Sequence, residues 1–226
     1  MPRIARVVVP EIPHHITQRG NRRQKTFFLE NDYKVYLELM KEWCGRFKVE
    51  IWGYCLMPNH VHMIAVPPAE DSLSRAIGEA HRRYSRMINF REGWRGHLWQ
   101  SRFGSFPMDD SHTLCSAKYI DMNPVRAKMV DTPGDYKWSS AAAHIEGKDD
   151  GFLKFNRLDE MVDSWAGFLM TRESEYDNSL IRKHERTGRP LGDENFIIDL
   201  QEKLGKELLL KKPGPKKGRG GRPKLV

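Results

Sequence analysis

The chain is poor in cysteine, has no long apolar run and, over its last sixteen residues, carries no acid. Its three cysteines, Cys44, Cys55 and Cys115, are odd in number and widely spaced in a chain of 226 residues. That excludes a disulfide framework and points to reduced thiols in a cytoplasmic protein. No stretch approaches the roughly 18 consecutive apolar residues that a membrane-spanning helix needs, so no membrane partner is expected. The opening "MPRIARVVVPEIPHH" has only a few apolar residues before Pro10 and Glu11, so it is not expected to act as a signal peptide. The mean hydropathy of −0.66 and the 39% of hydrophobic residues suit one principal soluble domain with a wide polar surface.

Basic charge is present and unevenly spread. The acid-free tail holds seven of the net +8 charges, in Lys211, Lys212, Lys216, Lys217, Arg219, Arg222 and Lys224. Two further windows are locally basic: Met1 to Lys25 has six Arg or Lys against one Glu, and Arg82 to Arg102, which includes Arg83, has six Arg against one Glu. Three separated basic segments suit a polyanion, nucleic acid above all. The plainer reading is solvated surface charge with a disordered tail.

The patterning predicts a short strand in "HHITQRG", a turn at Gly20-Asn21, and a helix capped by Asn31 or Asp32 that stops at Gly45. Strands over Val49–Met57 and His60–Val66, joined at Pro58-Asn59, make an antiparallel hairpin. A second helix starts at Asp71 or Ser72, a Gly-rich aromatic loop leads into a strand before Met108, and a third helix runs from about Ser111. It should end near Met122, because Pro124 biases Asn123 away from helix. This order favours an α+β, ferredoxin-like (RRM-like) antiparallel sheet with helices packed on it over a doubly wound sheet. The expected division is residues 1–145, a helical C-terminal extension over 146–210, and a low-complexity tail over 211–226 that is too polar to fold alone.

Several residues can carry chemistry. His60 and His62 are two apart in a strand, so both imidazoles face one side, able to reach one divalent ion, while Val61 and Met63 face the core. Tyr119 and Asn123 stand four apart, at the spacing of one helix face; a tyrosine can attack phosphorus, and an amide oxygen can join imidazoles on Mg²⁺ or Mn²⁺. The plainer reading makes Tyr119 a core residue and Asn123-Pro124 a helix stop. Tyr84, in "HRRYSRM", is a rival nucleophile. His81, His97 and His112 are candidates for the base that a phenol of pKa about 10 requires.

In their order, "ITQRGNRRQ", "GYCLMPNHVHMI", "GHLWQSRFGS" and "KYIDMNPVRAKMV...DYKWSS" resemble the REP-associated tyrosine transposases. These are a branch of the IS200-like, single-tyrosine HUH transposases, HUH denoting His, hydrophobic, His. The resemblance covers roughly residues 1 to 145. It implies an HUH endonuclease fold, with His60 and His62 as the metal pair for Mg²⁺ or Mn²⁺, Tyr119 as nucleophile and Asn123 as third ligand where related transposases carry Gln. It also implies cleavage of single-stranded DNA bearing hairpins through a 5′-phosphotyrosine, by a protein working as a monomer, with a dimer as the alternative.

Within that picture the basic segments become DNA contacts. Arg19, Asn21, Arg22 and Arg23 flank a turn suited to gripping phosphate and reading a base edge. Trp94, Trp99 and Phe103 alternate with Arg95 and Arg102, as in a stacking platform for single strands, although core packing explains Trp99 and Phe103 equally well. The tail's Lys216, Lys217, Arg219 and Arg222 lie in or beside "GRGGRPK", which resembles an AT-hook for A·T-rich duplex and would associate the protein with the nucleoid. The histidine face of the strand is expected to meet DNA. The alternative of a different class is a noncatalytic protein that binds hairpins or single strands; a zinc hydrolase acting on a small substrate leaves the basic segments without a role.

Overall fold

The computed structural model describes residues 6–154, 157–172 and 174–208; the tail's basic residues lie outside them. Four strands, β1 (His14–Arg19), β2 (Glu50–Met57), β3 (His60–Val66) and β4 (Gly104–Pro107), form one sheet in the order β2-β3-β1-β4, every pair antiparallel. Helices α1 (Glu30–Arg46) and α2 (Ser72–Arg91) connect the strands in the ferredoxin-like manner. Beyond the sheet come α3 (Asp110–Asp121), α4 (Asn123–Arg126), α5 (Ala141–Glu146), α6 (Arg157–Glu160), α7 (Trp165–Met170), α8 (Glu175–Thr187) and α9 (Glu194–Leu204).

Strand alternation sends side chains to two faces, and both are covered. Ile16, Ile51, Tyr54, Leu56, Val61, Met63 and Ala65 pack against Tyr36, Met40 and Trp43 of α1 and Leu73, Ile77 and Tyr84 of α2. On the other face Cys55, Met57, Ile64 and Phe106 meet Ala117, Tyr119 and Ile120 of α3, Trp165 and Leu169 of α7, and Ile181 of α8. The C-terminal helices α7 and α8 therefore share a core with the sheet.

Helix boundaries follow local chemistry. Asp32 sits inside α1, where its carboxylate accepts from the backbone N–H groups of Phe28 and Leu29 at 2.8 and 3.0 Å and pairs with Arg91 at the end of α2. It thus serves as the third helical residue rather than the cap. The expected end of α3 near Met122 holds, but Asn123 is not extended: it opens α4, with Pro124 in that helix's first turn, where a missing N–H costs nothing.

A buried carboxylate ties the end of α3 to the following segments. Asp121 accepts from Trp165 Nε1 at 2.8 Å, His144 Nδ1 at 2.8 Å and Ser140 Oγ at 3.1 Å. All four residues are buried, so removing the acceptor would take this bond from the Trp165 and His144 nitrogens, away from water, while Ser140 keeps the Tyr54 carbonyl at 3.2 Å. Asp121→Ala is expected to lower stability by about 3 kcal/mol in urea denaturation; a loss below about 1 kcal/mol would contradict this role.

Candidate active site and nucleic-acid interface

Register decides what shares a face with His60 and His62. On β1, Thr17 lies opposite His62, Arg19 opposite His60 and His15 opposite Ile64, which makes His15 the diagonal neighbour of His62. The His60 and His62 rings lie edge to face with centroids 5.1 Å apart. His62 Nδ1 and His15 Nε2 share a hydrogen bond of 2.9 Å, and His60 Nδ1 shares one of 2.6 Å with Asn59 Oδ1. Burial pulls His15 down to about 3, His60 to about 4 and His62 well below its usual value, with the neighbouring Arg19 adding to the effect at His60 and His62. At neutral pH these imidazoles are uncharged, the form that binds a metal ion.

Helix α3 delivers Tyr119 onto the same face. Its ring lies 5.7 Å from that of His62 and 6.2 Å from that of His15, and the Arg126 guanidinium stacks over it at 4.2 Å. Arg126 also donates to the Tyr119 carbonyl. Burial and the charge of Glu185 push the Tyr119 phenol up, while the charge of Arg126 and a hydrogen bond and charge from Arg182 pull it down. Asn123, buried at the head of α4, is one turn from Tyr119; the described contacts do not join it to either histidine of the pair. The histidine pair and the chemistry of the donors fit a divalent ion; the amide is the less supported ligand.

The histidine face was expected to meet DNA, but only His60 is half-exposed there; His62 is 2% exposed beneath α3 and α8. The residues added by α8, Arg182 and Glu185, were missed because the docking of that helix on the sheet leaves no short-range pattern in the sequence. His15 could have been found by counting the alternation of β1 against β3. The rival Tyr84 is fully buried in the core and donates to the Thr26 carbonyl at 2.7 Å. Of the suggested bases, His81 is buried against Tyr36 at 2.8 Å and His112 pairs with Asp109 at 2.7 Å, whose carboxylate caps α3.

Two of the basic segments converge beside His60. Gly20 N–H donates to the Asn59 carbonyl, Asn59 Nδ2 donates to the Arg23 carbonyl, and Gln100 N–H donates to the Arg19 carbonyl. A Cβ on Gly20 would come within 2.3 Å of the Gln24 carbonyl oxygen, so this close approach needs glycine. Arg22 and Arg23 adopt φ of 53° and 61°, and both are exposed, as are Arg95 and Arg102; Arg19 and Asn21 are half-buried. Arg83 stands apart from this cluster, paired with Glu79 at 3.0 Å and stacked on Trp43.

Trp99 is a correction. It is buried against Tyr36, Tyr84 and His81 and cannot serve as a stacking surface, because its ring is part of the α1–α2 core; Phe103 is buried in the same core. Trp94 is 42% exposed, edge-on to Phe28, and remains available to a base. Trp99→Ala is expected to cost about 3–5 kcal/mol in thermal or urea unfolding. Trp94→Ala should leave stability within about 1 kcal/mol while weakening single-strand binding measured by fluorescence anisotropy, a stacked base contributing about 1–3 kcal/mol.

Comparison with known proteins agrees with the residue pattern. The family model described as "Transposase IS200 like" matches residues 8–123. A Haemophilus influenzae protein bearing the name REP-associated tyrosine transposase is 24% identical over 134 residues, 51% of this chain and 76% of its own. A solved structure of a REP-associated tyrosine transposase bound to a REP hairpin superposes with a TM-score of 0.56 at 19% identity, covering 69% of this chain and 93% of that one. The resemblance read from the four sequence motifs is thus borne out, as is the ferredoxin-like sheet.

Proposed function

The chain belongs to the IS200-like transposase family, and from that premise we propose that it cleaves and rejoins single-stranded DNA bearing REP-like hairpins, with Tyr119 as nucleophile. The observation that carries this reading is the Tyr119 ring 5.7 Å from His62, with the Arg126 guanidinium over that ring. The hairpin-bound relative of the same fold supports the choice of substrate.

In the proposed reaction the Tyr119 oxygen loses its proton and attacks the scissile phosphorus. The P–O bond to the 3′ oxygen breaks, leaving a 5′-phosphotyrosine and a free 3′-hydroxyl. A second attack by a 3′-hydroxyl on the phosphotyrosine releases Tyr119 and reseals the strand, so no ATP is required. Arg182 and Arg126 favour the phenolate by charge and by hydrogen bonding, offsetting part of the burial that keeps the phenol above its usual value. They also offset negative charge on the phosphoryl oxygens as the transition state forms.

His60 and His62 would hold Mg²⁺ or Mn²⁺, with Asn123 as a third donor. Such an ion, when bound, polarises the phosphate. Arg19, Asn21, Arg22 and Arg23 would grip the strand beside His60, while Arg95, Arg102 and Trp94 extend that surface. The tail, with Lys216, Lys217, Arg219 and Arg222, would hold duplex nearby.

The test is incubation with hairpin-bearing single-stranded oligonucleotides and Mg²⁺ or Mn²⁺, followed by a denaturing gel. Wild type should form a covalent protein–DNA adduct and Tyr119→Phe none, while Arg182→Ala should form it about 10²-fold more slowly. Hairpin binding with no adduct from any oligonucleotide would instead support the noncatalytic reading.

A further inference from the structure

A second cluster, which shares His62 with the His60–His62 pair, lies deeper on the same sheet face. His15 Nε2 of β1, His62 Nδ1 of β3 and Glu185 Oε1 of α8 converge: the two nitrogens are 2.9 Å apart, and the carboxylate oxygen is 3.6 Å from His15 and 3.4 Å from His62. A metal ion with bonds of 2.0–2.1 Å in tetrahedral geometry separates its donor atoms by about 3.4 Å, close to both carboxylate spacings, and would replace the hydrogen bond between the nitrogens by moving them about half an ångström apart. Glu185 Oε1 is buried and has no hydrogen-bond partner, since both nitrogens lie too far from it for a good bond. His15 is fully buried and His62 nearly so, and a buried carboxylate oxygen left unpaired costs free energy.

We propose that His15, His62 and Glu185 form a three-ligand site for a transition-metal ion of the Zn²⁺ class, with a fourth position left for water or a phosphate oxygen. Two imidazoles and one carboxylate are the donor set that favours Zn²⁺ or Co²⁺ over Mg²⁺, which prefers oxygen and keeps its water. Such an ion ties α8 to β1 and β3 and so holds the C-terminal region over Tyr119. The site shares the His62 ring with the catalytic reading and does not rest on it.

Protein stripped with a chelator and kept free of DNA is titrated with Co²⁺, followed by visible absorption, and with Zn²⁺ by calorimetry. The expected result is one ion per chain with the intense d–d bands of a tetrahedral site. His15→Gln and the near-isosteric Glu185→Gln, each folded by circular dichroism, should each weaken binding at least tenfold, while His60→Ala leaves it within threefold. Zn²⁺ should also raise the melting temperature of wild type and not that of Glu185→Gln. Absence of Co²⁺ or Zn²⁺ binding overturns the proposal. So does binding that His60→Ala abolishes and His15→Gln spares, since that places the ion on the other pair. None of these readings depends on adduct formation.

Discussion

Burial of β3 on both faces is the constraint that organises this molecule. The two-residue period of the strand gives Val61, Met63 and Ala65 to the core beneath α1 and α2, and gives His60, His62 and Ile64 to the side closed by α3, α7 and α8. Polar groups carried under that second layer must find partners there rather than in water. His62 is bonded to His15 across β1 and β3, His60 to the neighbouring Asn59 of the turn, and the Tyr119 ring lies under the Arg126 guanidinium. The phenol and the imidazoles are thereby positioned by the packing that buries them, and the same packing holds the imidazoles neutral.

The second layer also explains why Asp121 matters two residues after Tyr119. Its carboxylate joins the end of α3 to Ser140, His144 and Trp165, fixing the helix that carries the phenol against the segments that cover the site. On the opposite flank, the Pro58-Asn59 turn receives hydrogen bonds from Gly20, Thr26 and Phe27, so the arginine-rich loop after β1 is anchored to the strand that carries the histidines. Charge that looks scattered along the chain gathers where the strand ends.

Much of this was legible in the sequence, and the gaps have physical causes. The alternation of "HVHMIAV" gave β3 at its observed bounds, and the apolar spacing gave α1 and α2 within a residue or two. Asn123 was misjudged because Pro124 is unfavourable inside a helix yet welcome in the first turn of a new one. Trp99 was ambiguous because arginine-flanked aromatics suit both a stacking platform and a core, and only its contacts with Tyr36, Tyr84 and His81 decide it. Glu185 and Arg182 could not be assigned because their position depends on how α8 docks, and docking leaves no short-range pattern. The polar helix α8 reads locally as a solvated element, although Ile181 is buried against the sheet.

The central claim is that the phenol beneath the second layer, and no other tyrosine, exchanges its proton for a phosphorus. Trapped protein–DNA adduct, digested with nuclease and protease and read by mass spectrometry, locates the modified residue directly. The account predicts a nucleotide on the peptide carrying Tyr119. A nucleotide on Tyr84, or on any residue outside α3, would contradict it.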